Sequence, residues 1–362
     1  MKKTMLKAGR LPNNAESRKT SKHGTVINVI SSKGGVGTTT IAVNLAVSLA
    51  AEKNSPSVAL IDMNLLFGDI PLFLEIDPEY NWSEITKNIS RLDDNFLRSI
   101  LSVHASGVSV LPSPSYVSDP DEKTPEIMAH LLMLMQRVFD YIIIDGGQPL
   151  DDISLMILEL SDIALLVSIL TPPCILNTKK LLKTFRGLGF PLDENIKIVV
   201  NRYLKKSNIS LTDAEASLEK EIFWNIPNDY QTTVNAINEG KPLAQFAPNE
   251  AITKNFKKFA AKLRAESEKA GPAISSYRRT MKKTPGSGRY IYQKEKMSIN
   301  RRRRESDTAQ HEPSSNGRRR KMRDGIIIVD YDRRQNDNPD YNGPEKRSGI
   351  DQREGKERRQ KE

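Results

Sequence analysis

The sequence predicts a doubly wound α/β domain with a mostly parallel sheet, flanked by basic tails that lack regular structure. Short β-branched runs alternate with helical patterns from Gly24 to about Ala270, which is the order of a βαβ chain. Most of those runs are continuously apolar, as strands covered on both faces must be. One strand–helix junction also carries a glycine-rich turn, at the sheet edge where open α/β folds bind ligands.

The strands are expected at Thr25–Ile30, Val58–Ile61, Val108–Leu111, Tyr141–Ile144, Ile163–Ser168 and Ile196–Val200. Between them, apolar residues at helical spacing predict helices over 38–52, 124–138, 151–160 and 176–188, with others toward 264. In 251–264, Ile252, Phe256, Phe259 and Leu263 share one face, opposed by Lys254, Lys257, Lys258 and Arg264. Such a helix either packs on the domain or lies on a membrane surface.

Charge divides the chain unevenly. Residues 271–362 hold 25 Lys/Arg and 14 Asp/Glu, a net of +11, and residues 1–23 carry +6. Subtracting both from the whole-chain +10 leaves −7 for residues 24–270. The expected organisation is a basic extension over 1–23, a ligand-binding domain over 24–270 and a basic tail over 271–362. The tail is polar and charged, a composition of disorder, apart from a short apolar segment at 325–331. That segment suits strand addition to a partner's sheet edge, with an inert or intramolecular strand as the alternative. The blocks Arg301–Arg304 and Arg318–Lys321 either bind phosphate-rich partners or are simply solvated.

Cys174 is the single cysteine, so the chain forms no internal disulfide and has no ligand set for an iron–sulfur cluster. No apolar stretch follows the charged N-terminus, as a secretory signal would require, and no run of about 18 apolar residues predicts a membrane span. A cytoplasmic location is expected. The four histidines are scattered without metal-like spacing.

The chemistry concentrates in "SSKGGVGTTT", residues 31–40. Gly34, Gly35 and Gly37 let the backbone turn tightly around Val36 and aim N–H groups at phosphate oxygens. The helix that follows adds its partial positive charge. Thr39 occupies the hydroxyl position that serves Mg²⁺ in a P-loop, whereas the preceding position, ordinarily lysine, is Thr38. Asp145 ends an apolar strand at the same sheet edge, where a carboxylate holds Mg²⁺ through water. A strand-ending aspartate can equally form a turn or cap a helix.

"KGGVG", beginning at Lys33, resembles the deviant Walker A motif of MinD/ParA-type ATPases. In that superfamily the early lysine reaches across a dimer interface to the partner's nucleotide. "LIDMNLLFGDIPLFLEIDPEYNWSEI" and "FWNIPNDYQTTVNAINEGKPLAQFAPNEAITKNFKKFAAKL" are similar to the CpaE/TadZ branch, the Flp (Tad) pilus assembly ATPases. The resemblance covers roughly residues 24–266 and implies ATP and Mg²⁺ as ligands. It assigns Lys33, Gly34, Gly35, Val36, Gly37, Thr38, Thr39, Thr40 and Asp62 to the nucleotide, and Thr39 and Asp145 to the metal. Asn201, Arg202, Pro227 and Asn228 fall near the adenine base by the same resemblance, or are routine loop residues.

Lys33 and Asn64 are the candidate catalytic residues, with a loop residue of no special role as the alternative for Asn64. The branch usually has an aspartate at the position of Asn64, and an amide is not a base. Loss of general-base help, roughly 10²–10⁴ in rate, implies slow or absent hydrolysis. Loss of the lysine at Thr38 removes a charged hydrogen bond worth about 1.5–3 kcal/mol, roughly ten- to a hundredfold in affinity. Many members of the branch also carry a receiver-like domain ahead of the ATPase, where this sequence has 23 residues.

The expected function is a nucleotide-dependent homodimer that localises or assembles a Flp-type pilus. Its expected partners are pilus secretion proteins, with contact to the inner membrane or a polar landmark. A ParA-like positioning ATPase that binds DNA nonspecifically and a nucleotide-free scaffold are the alternatives.

Overall fold

The computed structural model describes residues 23–64, 68–88, 91–114, 124–148, 151–269, 281–283 and 290–292. The chain divides into two units, residues 1–296 and 297–362, and every described element belongs to the first. The extension over 1–22, the arginine blocks of the tail and the apolar segment 325–331 lie outside the described residues.

The first half of the domain runs β1 (Thr25–Ser31), α1 (Thr38–Ala50), β2 (Val58–Asp62), α2 (Ile70–Phe73), α3 (Ser83–Lys87), α4 (Asp94–Ile100), β3 (Ser102–Val103), β4 (Ser109–Leu111), α5 (Thr124–Val138) and β5 (Tyr141–Gly147). The second half runs α6 (Asp152–Leu160), β6 (Ile163–Ser168), α7 (Pro172–Leu188), β7 (Ile196–Tyr203), α8 (Leu211–Leu218), β8 (Ile222–Pro227), α9 (Tyr230–Asn238), α10 (Leu243–Phe246) and α11 (Ala251–Lys269). The eight strands lie in the order β3-β4-β2-β5-β1-β6-β7-β8, all parallel except β3, which runs antiparallel to β4. The doubly wound parallel sheet is therefore present.

Period-2 alternation sends successive strand residues to opposite faces. Ile27 and Val29 of β1 enter the cluster under α1 and α11, whereas Val26 and Ile30 face the helices of the other layer. α1 is almost wholly buried, with Ile41 to Leu49 all buried, which explains its Ala/Val/Leu composition.

Several features differ from the sequence reading, among them β3 and the short helices α2, α3 and α4, which were not among the expected elements. α7 begins at Pro172, four residues before the expected start, because proline at the first helical turn needs no N–H partner. β8 is absent from the expected strands. It is an edge strand, half-buried over most of its length, so it lacks a continuous apolar run. Its outer edge is covered by α11: Lys262 Nζ donates to the Phe223 carbonyl at 2.8 Å and Asn255 Nδ2 to that of Asn225 at 3.2 Å. Within the tail, β9 (Met281–Lys283) and β10 (Tyr290–Tyr292) form an antiparallel pair where only disorder was expected. Aromatic and β-branched residues in "YIY" favour an extended backbone even in a charged setting.

α11 resolves the two options for its amphipathic pattern. Ile252, Phe256, Phe259 and Leu263 are all buried against the domain, and Trp224 stacks on Phe259 with ring centroids 5.6 Å apart. The apolar stripe is thus spent on packing. Among the described residues no helix is long and apolar enough to cross a membrane.

Candidate nucleotide-binding site

β1 delivers the chain to the carboxyl edge of the sheet, where residues 32–37 form the loop that leads into α1. Gly35 and Gly37 adopt left-handed conformations, with φ of 76° and 97°, which explains glycine at both positions. Gly37 is the N-cap of α1, and its carbonyl accepts from the Ile41 amide at 3.0 Å. A side chain at Gly37 would place Cβ 2.5 Å from Asn201 Nδ2. Lys33 is exposed at the mouth of the loop, and Thr38, Thr39 and Thr40 open α1 half-buried.

Behind the loop lies a carboxylate pair. β2 and β5 are neighbours, and their register sets Asp62 opposite Asp145. Thr39 Oγ1 donates to Asp145 Oδ2 at 2.6 Å, joining the first turn of α1 to the end of β5. Asp145 Oδ1 is buried and has no hydrogen-bond partner. Asp62 Oδ1 accepts from the Asn64 amide at 3.0 Å, and Oδ2 from the Ile70 amide at 3.3 Å, so this carboxylate also holds the start of α2. Next to Asp145, the β1–β5 register slips, and Asn28 Oδ1 occupies the space a Gly146 side chain would need. Irregularities of this kind re-aim side chains at sites.

Burial dominates the electrostatics. Desolvation, with the Asp145 charge beside it, pushes the Asp62 carboxyl up to about 7. Desolvation pushes Asp145 up to about 6, against the lowering effect of the Thr39 hydroxyl and the Gly147 amide. Asp69, just ahead of α2, adds negative charge to both. The sequence reading did not include Asp69; the Gly-Asp pair preceding "IPLF" was its only visible mark. Two buried, mutually repelling carboxylates beside a hydroxyl form a hard-oxygen setting that a divalent cation would relieve. Among the described residues no set of three His, Cys, Asp or Glu forms a complete metal cage. Mg²⁺ ordinarily takes one or two protein carboxylates and completes its shell with phosphate and water.

The remaining candidates divide. Asn201 and Arg202, at the end of β7, hydrogen-bond carbonyls of the loop, from Asn201 Nδ2 to Val36 at 2.8 Å and from Arg202 Nη2 to Gly35 at 2.9 Å. Pro227 ends β8, and the Asn228 amide donates to the Tyr203 carbonyl at 2.9 Å, so the ends of β7 and β8 lie together. Ser32 was not foreseen: its hydroxyl shares a hydrogen bond of 3.0 Å with buried Thr178 of α7, which in turn donates to Ser168 Oγ at 3.2 Å.

A glycine loop between β1 and a buried helix, a hydroxyl on that helix and aspartates ending neighbouring strands define a P-loop nucleotide-binding domain. The chain belongs to the ParA family, whose model, described as "NUBPL iron-transfer P-loop NTPase", matches residues 22–264. Septum site-determining protein MinD of Thermotoga maritima is 28% identical over 250 residues, covering 67% of this chain and 89% of that protein. Mouse iron-sulfur cluster transfer protein NUBPL is 27% identical over 182 residues, covering 46% of this chain and 51% of that protein. Among solved structures, a ParA family ATPase from Chlorobium tepidum TLS superposes with TM-score 0.62 at 26% identity, covering 67% of this chain and all of that one. MinD of Pyrococcus horikoshii OT3, complexed with Mg-ADP, shares the fold with TM-score 0.56 at 22% identity, covering 68% of this chain and 99% of that one.

Proposed function

We propose that the protein is an ATP- and Mg²⁺-switched homodimer that localises or assembles a Flp (Tad)-type pilus from the cytoplasm, turning ATP over slowly or not at all. Exposed Lys33 beside a loop that has Thr38 in place of lysine carries the reading. The subunit's own loop lacks the usual cation, and an exposed Lys33 would lend one to a neighbour. Nucleotide binding and dimerisation then strengthen each other by the same factor. Asn64, with an amide in place of a carboxylate, makes ATP a conformational ligand more than a fuel.

The pilus assignment rests on the CpaE/TadZ-like stretches of the sequence. The CpaE/TadZ-like stretches, far apart in sequence, meet in the fold: a side chain on Gly240 would run into the Leu72 carbonyl and Glu75. Asp62 holds the amide of Ile70 at the head of this α2 segment, so the first of these stretches adjoins the carboxylate pair. Iron–sulfur carriage is not favoured, since the one cysteine, Cys174, is 1% exposed. The exposed lysines 254, 257 and 258 on α11 give the second reading, a positioning ATPase that binds DNA nonspecifically.

Deleting the gene should remove surface pili, and a Lys33→Ala copy should fail to restore them while accumulating to the normal level. Normal piliation in the deletion strain, together with misplaced chromosome or plasmid, would overturn the pilus reading and favour the DNA-binding one.

A further inference from the structure

We propose that Arg202 is a positioning residue that latches the phosphate-binding loop from outside, offsetting part of the loss of the loop lysine within the same subunit. The inference rests on nucleotide binding at this loop, as proposed above, and differs from a role at the base.

Two consecutive residues of β7 grip two consecutive carbonyls of the loop. Arg202 Nη2 holds Gly35 O at 2.9 Å, and Asn201 Nδ2 holds Val36 O at 2.8 Å. The Arg202 amide also donates to Asn201 Oδ1 at 2.9 Å, which fixes that side chain's orientation. In a loop of this kind, carbonyls turned outward leave amides turned inward, toward an anion. Whatever holds the carbonyls therefore aims the amides.

Arg202 is itself unusual. Its backbone is left-handed, with φ of 53°, a conformation that long side chains adopt only under constraint. Arg202 lies within the β7–β8 register irregularity between Val200 and Tyr203, and a break of this kind re-aims a side chain, here toward the loop. With Thr38 in the lysine position, the backbone amides carry a larger share of phosphate binding. Their preorganisation then weighs more in the affinity. The guanidinium also brings a permanent positive charge to the loop of its own subunit.

Arg202→Gly is the informative variant, because glycine takes the left-handed backbone freely and keeps the fold while removing the side chain. In the full-length, nucleotide-free protein, hydrogen exchange at the amides of 34–38 should accelerate, with β7 and α1 unchanged. Binding of ATP–Mg²⁺ and of tripolyphosphate–Mg²⁺ should each weaken about tenfold, with the preference for ATP over GTP preserved. Arg202→Lys, which retains a charge and a donor, should fall between. Unchanged exchange in the loop would overturn the latch. So would a lost ATP-over-GTP preference with tripolyphosphate binding intact, which would make Arg202 a reader of the base. Should the wild type bind no nucleotide, the proposed function falls, and exchange in the nucleotide-free protein still decides the latch.

Discussion

Asp145→Asn is expected to weaken magnesium-dependent nucleotide binding by about 10–100-fold, the usual cost of removing a group that orients a metal. The same substitution should raise the stability of the nucleotide-free protein at pH 8. The sign follows from the raised carboxyls. An acid whose folded pKa lies above its unfolded value contributes stability that is full below the unfolded pKa and lost as pH rises through the folded one. Asp145 sits at about 6 and Asp62 at about 7, both above the ordinary 3.8. The metal-free protein should therefore melt progressively lower from about pH 4 to about pH 7, and Mg²⁺ with nucleotide should reverse the loss. An amide at 145 removes one of the two repelling charges and flattens the decline. Thermal melts across pH, paired with calorimetric titration of ATP–Mg²⁺, check both halves. Weaker binding with a lower melting temperature at pH 8 would mean that Asp145 serves the fold and not a metal.

Gly37→Ala is expected to be the most damaging of the loop-glycine substitutions. The left-handed φ of 97° and the Cβ position 2.5 Å from Asn201 Nδ2 act together. A strained backbone plus a disturbed hydrogen bond to Val36 should cost roughly 2–4 kcal/mol. In melting temperature that is roughly 10 °C for a domain of this size. Gly35→Ala meets the φ penalty alone, since nothing crowds that position, and should cost about 1–2 kcal/mol. Gly34 has open space and no positive φ, so Gly34→Ala should melt close to wild type. The ordering Gly34, Gly35, Gly37 is the prediction. A Gly37→Ala protein as stable as Gly34→Ala would show that the loop is not held against β7.

Much of the sheet was legible because its central strands are buried on both faces and must be apolar throughout. Val58–Asp62 and Ile163–Ser168 are fully buried, and both were foreseen within a residue. β8 escaped because it is an edge strand, half-buried over most of its length, with Asn225 interrupting its apolar residues. The site was legible where it is local: the glycines, Thr39 and Asp145 all follow from the loop and from the end of an apolar strand. Its support was not. Asn201 and Val36 lie 165 residues apart in sequence, and no spacing rule links them. Nor does sequence reveal that Asp62 and Asp145 share a register, since the strand order that pairs β2 with β5 is set by the whole sheet. The two aspartates were placed separately, and their mutual repulsion is a property of the fold.

Sedimentation velocity of the full-length protein, with and without ATP–Mg²⁺, tests the central claim most directly. Wild type should shift from monomer to dimer only when nucleotide and Mg²⁺ are both present. Lys33→Ala should remain monomeric in every condition, with its melting temperature unchanged because the side chain is exposed. A wild type that stays monomeric with ATP–Mg²⁺, or a Lys33→Ala protein that dimerises equally well, would contradict the shared-lysine switch.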